Sequence, residues 1–275
     1  MPRSDGVNED RLEMEFWPVL KRELQSWFGT DKIELLKPSK HQEALTGFDQ
    51  GFYLGDDNAP RLSHDRFLRE LGQEIDHGVT TSSLFYVGYF LQFKVVERMT
   101  RRTPPCPSAF TSPYYRAELD LEPNGTTGRS QHATLRRLCA LPGADVYYAF
   151  PMVFDVNVLK LQASLDALAL ASVAEAPKDW KDGEKHFVMF QKEDGDPWWC
   201  SDPVPGRRFD LRRVLERAER LDPASTTRWL ESARLEYRRG LPAEARTRGG
   251  YPPAMRLLRV ALDPDIPPLF PQVRG

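Results

Sequence analysis

Leu84-Phe85-Tyr86-Val87-Gly88-Tyr89-Phe90-Leu91-Gln92-Phe93-Lys94 is the most strand-like run in the chain, and its polar end governs how the rest is read. Apolar and aromatic residues follow one another almost without a break, which predicts a central strand covered on both faces. The wider segment 82–98 is then a strand pair or one bent strand. Side chains two apart on a strand share a face, so Gln92 and Lys94 point to one side while Phe93 packs into the opposite layer.

Working back from that run, Leu12, Phe16, Leu20, Leu24 and Trp27 recur at helical spacing, with Val19 and Phe28 widening the stripe. Residues 10–28 are therefore expected to be an amphipathic helix ended by Gly29. A second short helix is expected over Ser39–Leu45, stopped by Thr46-Gly47, and a strand over Gly51–Leu54, closed by Gly55-Asp56-Asp57-Asn58. Glu43 falls just before that strand and Asp49 where it begins. Residues 65–76 read as an inserted helix.

Downstream of the run, Thr103-Pro104-Pro105-Cys106-Pro107 reads as a loop, Tyr114–Leu121 as a strand and Asn124–Gly128 as a turn. Ser130 caps a helix that opens at Gln131 and ends at Pro142-Gly143, followed by the aromatic strand Asp145–Pro151. Leu159–Val173 is expected to be helical and His186–Phe190 a strand. Residues 208–240 are expected to form two arginine-rich helices split by Asp222-Pro223, and the proline-punctuated end is expected to run over the surface. Helix, strands, helix, strand implies an α/β layout with one covered sheet.

The composition is that of an ordinary globular protein, with 40% hydrophobic and 28% charged residues among 275. No apolar run approaches the roughly 20 residues that span a bilayer, and the first residues lack an apolar signal region. A cytoplasmic protein with no membrane partner is the expectation. Cys106, Cys139 and Cys200 are far apart and odd in number, which argues against a disulfide framework or a zinc spacing. The five histidines show no ligand spacing, Ser201 lacks a nucleophile-elbow context, and no Gly-Lys-Ser/Thr phosphate loop is present. Charge is uneven beneath a net of −2: residues 206–275 carry +6, all of the cations arginine, and the preceding part −8. That tail is the expected polyanion surface.

Phosphodiester hydrolysis calls for oxygen ligands to hold a divalent cation and for a side-chain cation to offset charge in the transition state. Asp49, Gln92 and Lys94 supply those residue types in strand-compatible positions, with Glu43 close behind Asp49 on the helix-to-strand turn. Each also has a plainer reading: Asp49 as a turn residue, Lys94 as the charged exit of a buried strand, Gln131 as an ordinary first-turn residue.

On Glu43, Gly47-Phe48-Asp49, Gln92-Phe93-Lys94, the helix opening at Gln131 and the strand Val146–Pro151, the chain resembles the PD-(D/E)XK, restriction-endonuclease-like superfamily. Within it, the likeness is to Mrr-type variants with glutamine in place of the last acidic residue. The resemblance spans roughly residues 10–155. It implies a central mixed β-sheet flanked by helices. The expected domains are a nuclease core over residues 10–205 with an insertion around 56–80 and, on residue pattern alone, an arginine-rich helical appendage with a proline-rich tail over 206–275. It further implies Asp49, Gln92 and Glu43 as ligands of Mg²⁺ or Mn²⁺, and Lys94 as the residue that orients the attacking water. Gln131 would contact nucleic acid, with Arg212, Arg213 and Arg217 assigned to the same task on charge. The expected activity is DNA endonuclease in restriction or anti-phage defence, with RNA still open as substrate and a homodimer or partner defence protein as companion. The alternative is a catalytically silent nuclease-fold subunit that binds nucleic acid or protein.

Overall fold

The computed structural model describes residues 7–28, 33–54, 64–77, 88–140, 144–155, 157, 159, 163–180 and 183–209. The expected segment Leu84–Val87, Arg212, Arg213, Arg217 and nearly all of the arginine-rich appendage lie outside them.

The first helix, α1 (Glu9–Phe28), forms as the apolar stripe dictates. Asn8 opens it by accepting a hydrogen bond from the Arg11 N–H at 2.9 Å. Leu12, Phe16, Leu20 and Leu24 are all buried, each burial contributing about 1.5–3 kcal/mol. After β1 (Ile33–Leu36) comes α2 (Lys40–Thr46), whose start is a reciprocal capping box between Ser39 and Gln42. Gly47 ends α2 in the left-handed conformation at φ 81°, and its N–H donates to the Glu43 carbonyl at 2.7 Å. A side chain is disfavoured there on two counts, since an added Cβ would also stand 3.2 Å from both Leu135 and Thr134, tight enough that these side chains must give way.

Chain reversal at Gly47 feeds β2 (Gln50–Leu54), then α3 (His64–His77), and then β3 (Gly88–Phe93). Strand β4 (Glu97–Met99) and β5 (Tyr114–Leu119) intervene before α4 (Gln131–Ala140) and β6 (Ala144–Pro151). The chain continues through β7 (Leu168–Ser172), β8 (His186–Phe190), β9 (Pro197–Cys200) and β10 (Val204–Pro205). The architecture is α/β, but with two sheets where one was expected. The first, mixed sheet has the order β1-β2-β3-β6-β7, with β3 and β6 parallel and its other neighbours antiparallel. The second, β10-β9-β8-β5-β4, is antiparallel throughout.

Pleat alternation sorts the first sheet into two cores. Phe52, Leu91 and Phe93 pack with the α1 stripe, and Phe93 lies 6.2 Å from Phe16 between ring centroids. Phe90, Val146, Tyr148 and Phe150 face the other way, against α3, α4 and the second sheet, through Leu71, Leu135, Val188 and Trp199. Thus Phe93 does occupy the layer opposite Phe90, and the first sheet is covered on both sides. Trp198 and Trp199 are strand residues of β9, with Trp199 fully buried in the shared core.

Of the two readings of 82–98, the described part shows two strands and not one bent strand: β3 ends at Phe93, and β4 belongs to the other sheet. One expectation is corrected. The segment Leu159–Val173 is not one helix; Leu165–Ala167 is a single 3-10 turn that enters β7, and the Leu-Ala alternation there is buried against β6. Among the described residues no helix is long and apolar enough to cross a membrane.

Replacing Gly47 by alanine combines left-handed strain with a clash against α4. The variant is expected to lose about 2 kcal/mol of stability, seen in thermal denaturation as a melting point lower by roughly 4–8 °C.

Candidate functional site

The end of β3 and the start of β2 are fastened together by one acidic residue. The Asp49 N–H donates to the Leu91 carbonyl at 3.0 Å, and its Oδ2 accepts from the Phe93 N–H at 2.7 Å. The carboxylate therefore continues the β2–β3 ladder where the backbone of β2 has not yet begun. Asp49 is 3% exposed, and its carboxyl is pushed up to about 7. Burial is the main cause and the nearby Glu43 charge the next; the Phe93 hydrogen bond and Lys94 oppose them, and Glu9 adds to the rise.

One pleat further on, the Lys94 N–H donates to the Ala149 carbonyl at 2.9 Å, so the parallel β3–β6 pairing runs on to this residue. Its side chain is almost wholly buried and would be costly there unpaired. The partner is Glu9, whose carboxylate oxygens accept from Lys94 Nζ at 3.2 and 3.4 Å. Glu9 belongs to the first turn of α1, which places this carboxylate over the end of β3. Between Asp49 and Lys94, Gln92 is fully buried, its Nε2 donating to the Phe93 carbonyl at 3.4 Å. Gln92 Oε1 has no hydrogen-bond partner, which is an unusual state for a buried amide oxygen.

On the other wall, α2 delivers Glu43 and α4 delivers Gln131, whose Nε2 donates to Glu43 Oε1 at 3.4 Å. Ser130 caps α4 through its Oγ, which accepts from the Ala133 N–H at 3.0 Å, and this fixes Gln131 at the first helical position. A cleft of about 540 Å³ opens between these elements, lined by Glu9, Lys40, Glu43, Lys94 and Gln131 together with Glu118, Asp120, Glu122 and Asn124 from β5 and the turn after it. Asn124 Nδ2 ties that turn to α2 by donating to the Ala44 carbonyl at 3.2 Å.

Of the residues singled out from sequence, Glu43, Lys94 and Gln131 share this cleft, Asp49 is electrostatically linked to Glu43 and Lys94, and Gln92 lies between Asp49's bonding partner Phe93 and the strand interior. Two features escaped that reading. Glu9 sat one residue before the expected start of α1, although an acidic first turn behind Asn8 was visible. The acidic rim of Glu118, Asp120 and Glu122 carries no signal of its own; only the packing of the second sheet brings it to the cleft. Among the described residues no three His, Cys, Asp or Glu side chains are arranged to hold a metal ion by themselves.

Comparison of the chain with protein families, with curated proteins and with solved structures finds no match.

The raised carboxyl has a stability consequence. An unfolded chain releases this proton near pH 3.8 and the folded protein holds it to about 7, so between those values the folded state binds more protons and stability falls as pH rises. Asp49→Asn retains an oxygen for the Phe93 N–H and removes the charge. Thermal melts from pH 5 to pH 8 are expected to show the wild type losing several degrees and the variant losing markedly less; equal slopes would refute the assignment.

Proposed function

We propose that the protein is a metal-dependent endonuclease that hydrolyses DNA phosphodiester bonds in the cleft between α1, α2, the end of β3 and α4. The observation that carries the reading is the electrostatic linkage of Asp49 with Glu43, Lys94 and Glu9 at the edge of the cleft. A mixed sheet covered by helices on both faces is compatible with the layout that the resemblance implies, and Asp49, Gln92 and Lys94 are the residues on which that resemblance rests.

The donor set suits a hard cation. Mg²⁺ keeps several of its waters and is commonly held by one or two carboxylates; Glu43 and Asp49 are such a pair, and Gln92 Oε1 is an oxygen that a ligand would satisfy. When bound, the cation supplies charge neutralisation at the phosphoryl group and a lower pKa for water in the site. The chain's own residues do the rest. Lys94 places an ammonium group where negative charge develops, Glu9 holds that group in position, and Gln131 steadies Glu43. Five carboxylates line the cleft against two ammonium groups, so a phosphate strand is repelled until cations are present.

Purified protein with Mg²⁺ or Mn²⁺ is expected to nick supercoiled plasmid, with Asp49→Ala and Lys94→Ala each lowering the rate at least about 100-fold. Plasmid that stays intact under every metal condition would overturn the proposal. In the presence of Ca²⁺, DNA is expected to bind at least about tenfold more tightly than in EDTA, measured by fluorescence anisotropy, because the cleft is anionic without a cation. Equal affinities would show that the cleft does not engage the strand.

A further inference from the structure

His186 opens β8 and is 1% exposed, a position in which an imidazole needs polar partners. The β8–β9 register pairs Phe187 with Cys200, so one step outward His186 and Ser201 meet across the open end of the strand pair. Ser201 is exposed, and its Oγ lies 2.7 Å from His186 Nδ1. On the far side of the ring Glu184 Oε2 stands 3.6 Å from Nε2, with its own side chain 56% exposed. The tautomer that serves both contacts carries its proton on Nε2, toward Glu184, so that the Ser201 hydroxyl donates to Nδ1. Trp180 lies flat against the imidazole, with ring centroids 4.3 Å apart and planes 21° apart. None of these four residues lines the cleft described above.

A hydroxyl within hydrogen-bond reach of a base, the base itself oriented by a third group, is the arrangement that activates a nucleophile. Removing the serine proton creates an imidazolium, which burial disfavours. Two neighbours offset that cost: Glu184 presents a carboxylate to Nε2, and Trp180 presents an aromatic face to the cation. We propose that Ser201 is a base-activated nucleophile that accepts an acyl group, with His186 as its base and Glu184 as a positioning residue. As Ser201 Oγ bonds to the acyl carbon, its proton passes to His186 Nδ1. The bond from that carbon to the leaving group breaks, and the leaving group departs with the electron pair and collects the proton. Ser201 stands on an exposed turn, so the donor it fits is small and carries a good leaving group, as an aryl ester or a thioester does. The Gly-X-Ser-X-Gly elbow is absent from the sequence; a strand register brings the serine to its base instead. The site is independent of the nuclease reading.

The test treats the full chain with a fluorescent fluorophosphonate, which undergoes the same exchange at phosphorus with fluoride as the leaving group. Mass spectrometry of peptides then locates the adduct. One adduct per chain is expected, on Ser201, formed at least about 100-fold faster than in the chain unfolded by urea, since a positioned base contributes on that order. p-Nitrophenyl acetate is expected to release nitrophenolate, to leave an acetyl group on Ser201 and so to block the fluorophosphonate. Ser201→Ala is expected to abolish both reactions. His186 is buried and its replacement endangers the fold, so its role is read through Glu184, whose side chain reaches solvent. Glu184→Gln, which keeps the shape and removes the charge, is expected to slow labelling about tenfold, and Glu184→Asp to restore most of the rate. Labelling that is absent, that falls on other residues, or that is as fast in urea as in the native chain overturns the nucleophile. Equal rates in the wild type and Glu184→Gln overturn the part assigned to Glu184.

Discussion

A single carboxylate, that of Asp49, does structural and electrostatic work at once. It accepts from the Phe93 N–H at 2.7 Å in a dry setting, and its own N–H reaches the Leu91 carbonyl. Without it the last backbone donor of β3 on that side would be buried and unpaired. The same dryness, with Glu43 close by, keeps the carboxyl protonated to unusually high pH. The group that closes the sheet is therefore also the group poised to change charge near neutrality.

Everything else in the site depends on that closure holding. β3 is pinned by β2 and Asp49 on one side and by β6 on the other, which leaves Lys94 one defined exit from the sheet. From there its ammonium group meets Glu9, carried in by a helix whose position is set by Leu12, Phe16, Leu20 and Leu24 against the sheet. α4 arrives on the opposite face through Leu135 and Leu138 and is close enough to α2 to crowd any side chain at Gly47. Apolar packing on the two faces thus delivers the polar groups at the edge between them.

Much of this was legible in the residues. The α1 stripe, the Gly47 stop of α2, the Ser130 cap of α4 and the described end of the strand leading into Gln92-Phe93 all obey local rules, and the structure places each as expected. What was not legible is long-range. β5 finds β8 across some seventy residues, a pairing no periodicity records, so the second sheet and its acidic rim were invisible. β7 misled for a different reason: Leu168-Ala169-Leu170-Ala171 has good helix formers, and only burial against β6 and the Leu170–Phe209 bridge selects the extended form. Glu9 was overlooked because its role depends on where the far end of another element lands.

The two sheets divide the cleft between them. One wall carries Glu9 of α1, Lys40 and Glu43 of α2, Gln131 of α4 and Lys94 at the end of β3, whereas Glu118, Asp120 and Glu122 come from β5 and the turn after it, in the other sheet, which the chain enters through the short link from Lys94 to Val96. Substitutions in that rim change the charge that an incoming molecule meets while leaving the Asp49 closure and the Lys94–Glu9 pair untouched. The charge of the rim and the closure beneath it are consequently free to change at separate rates, as two inheritances lodged in one fold.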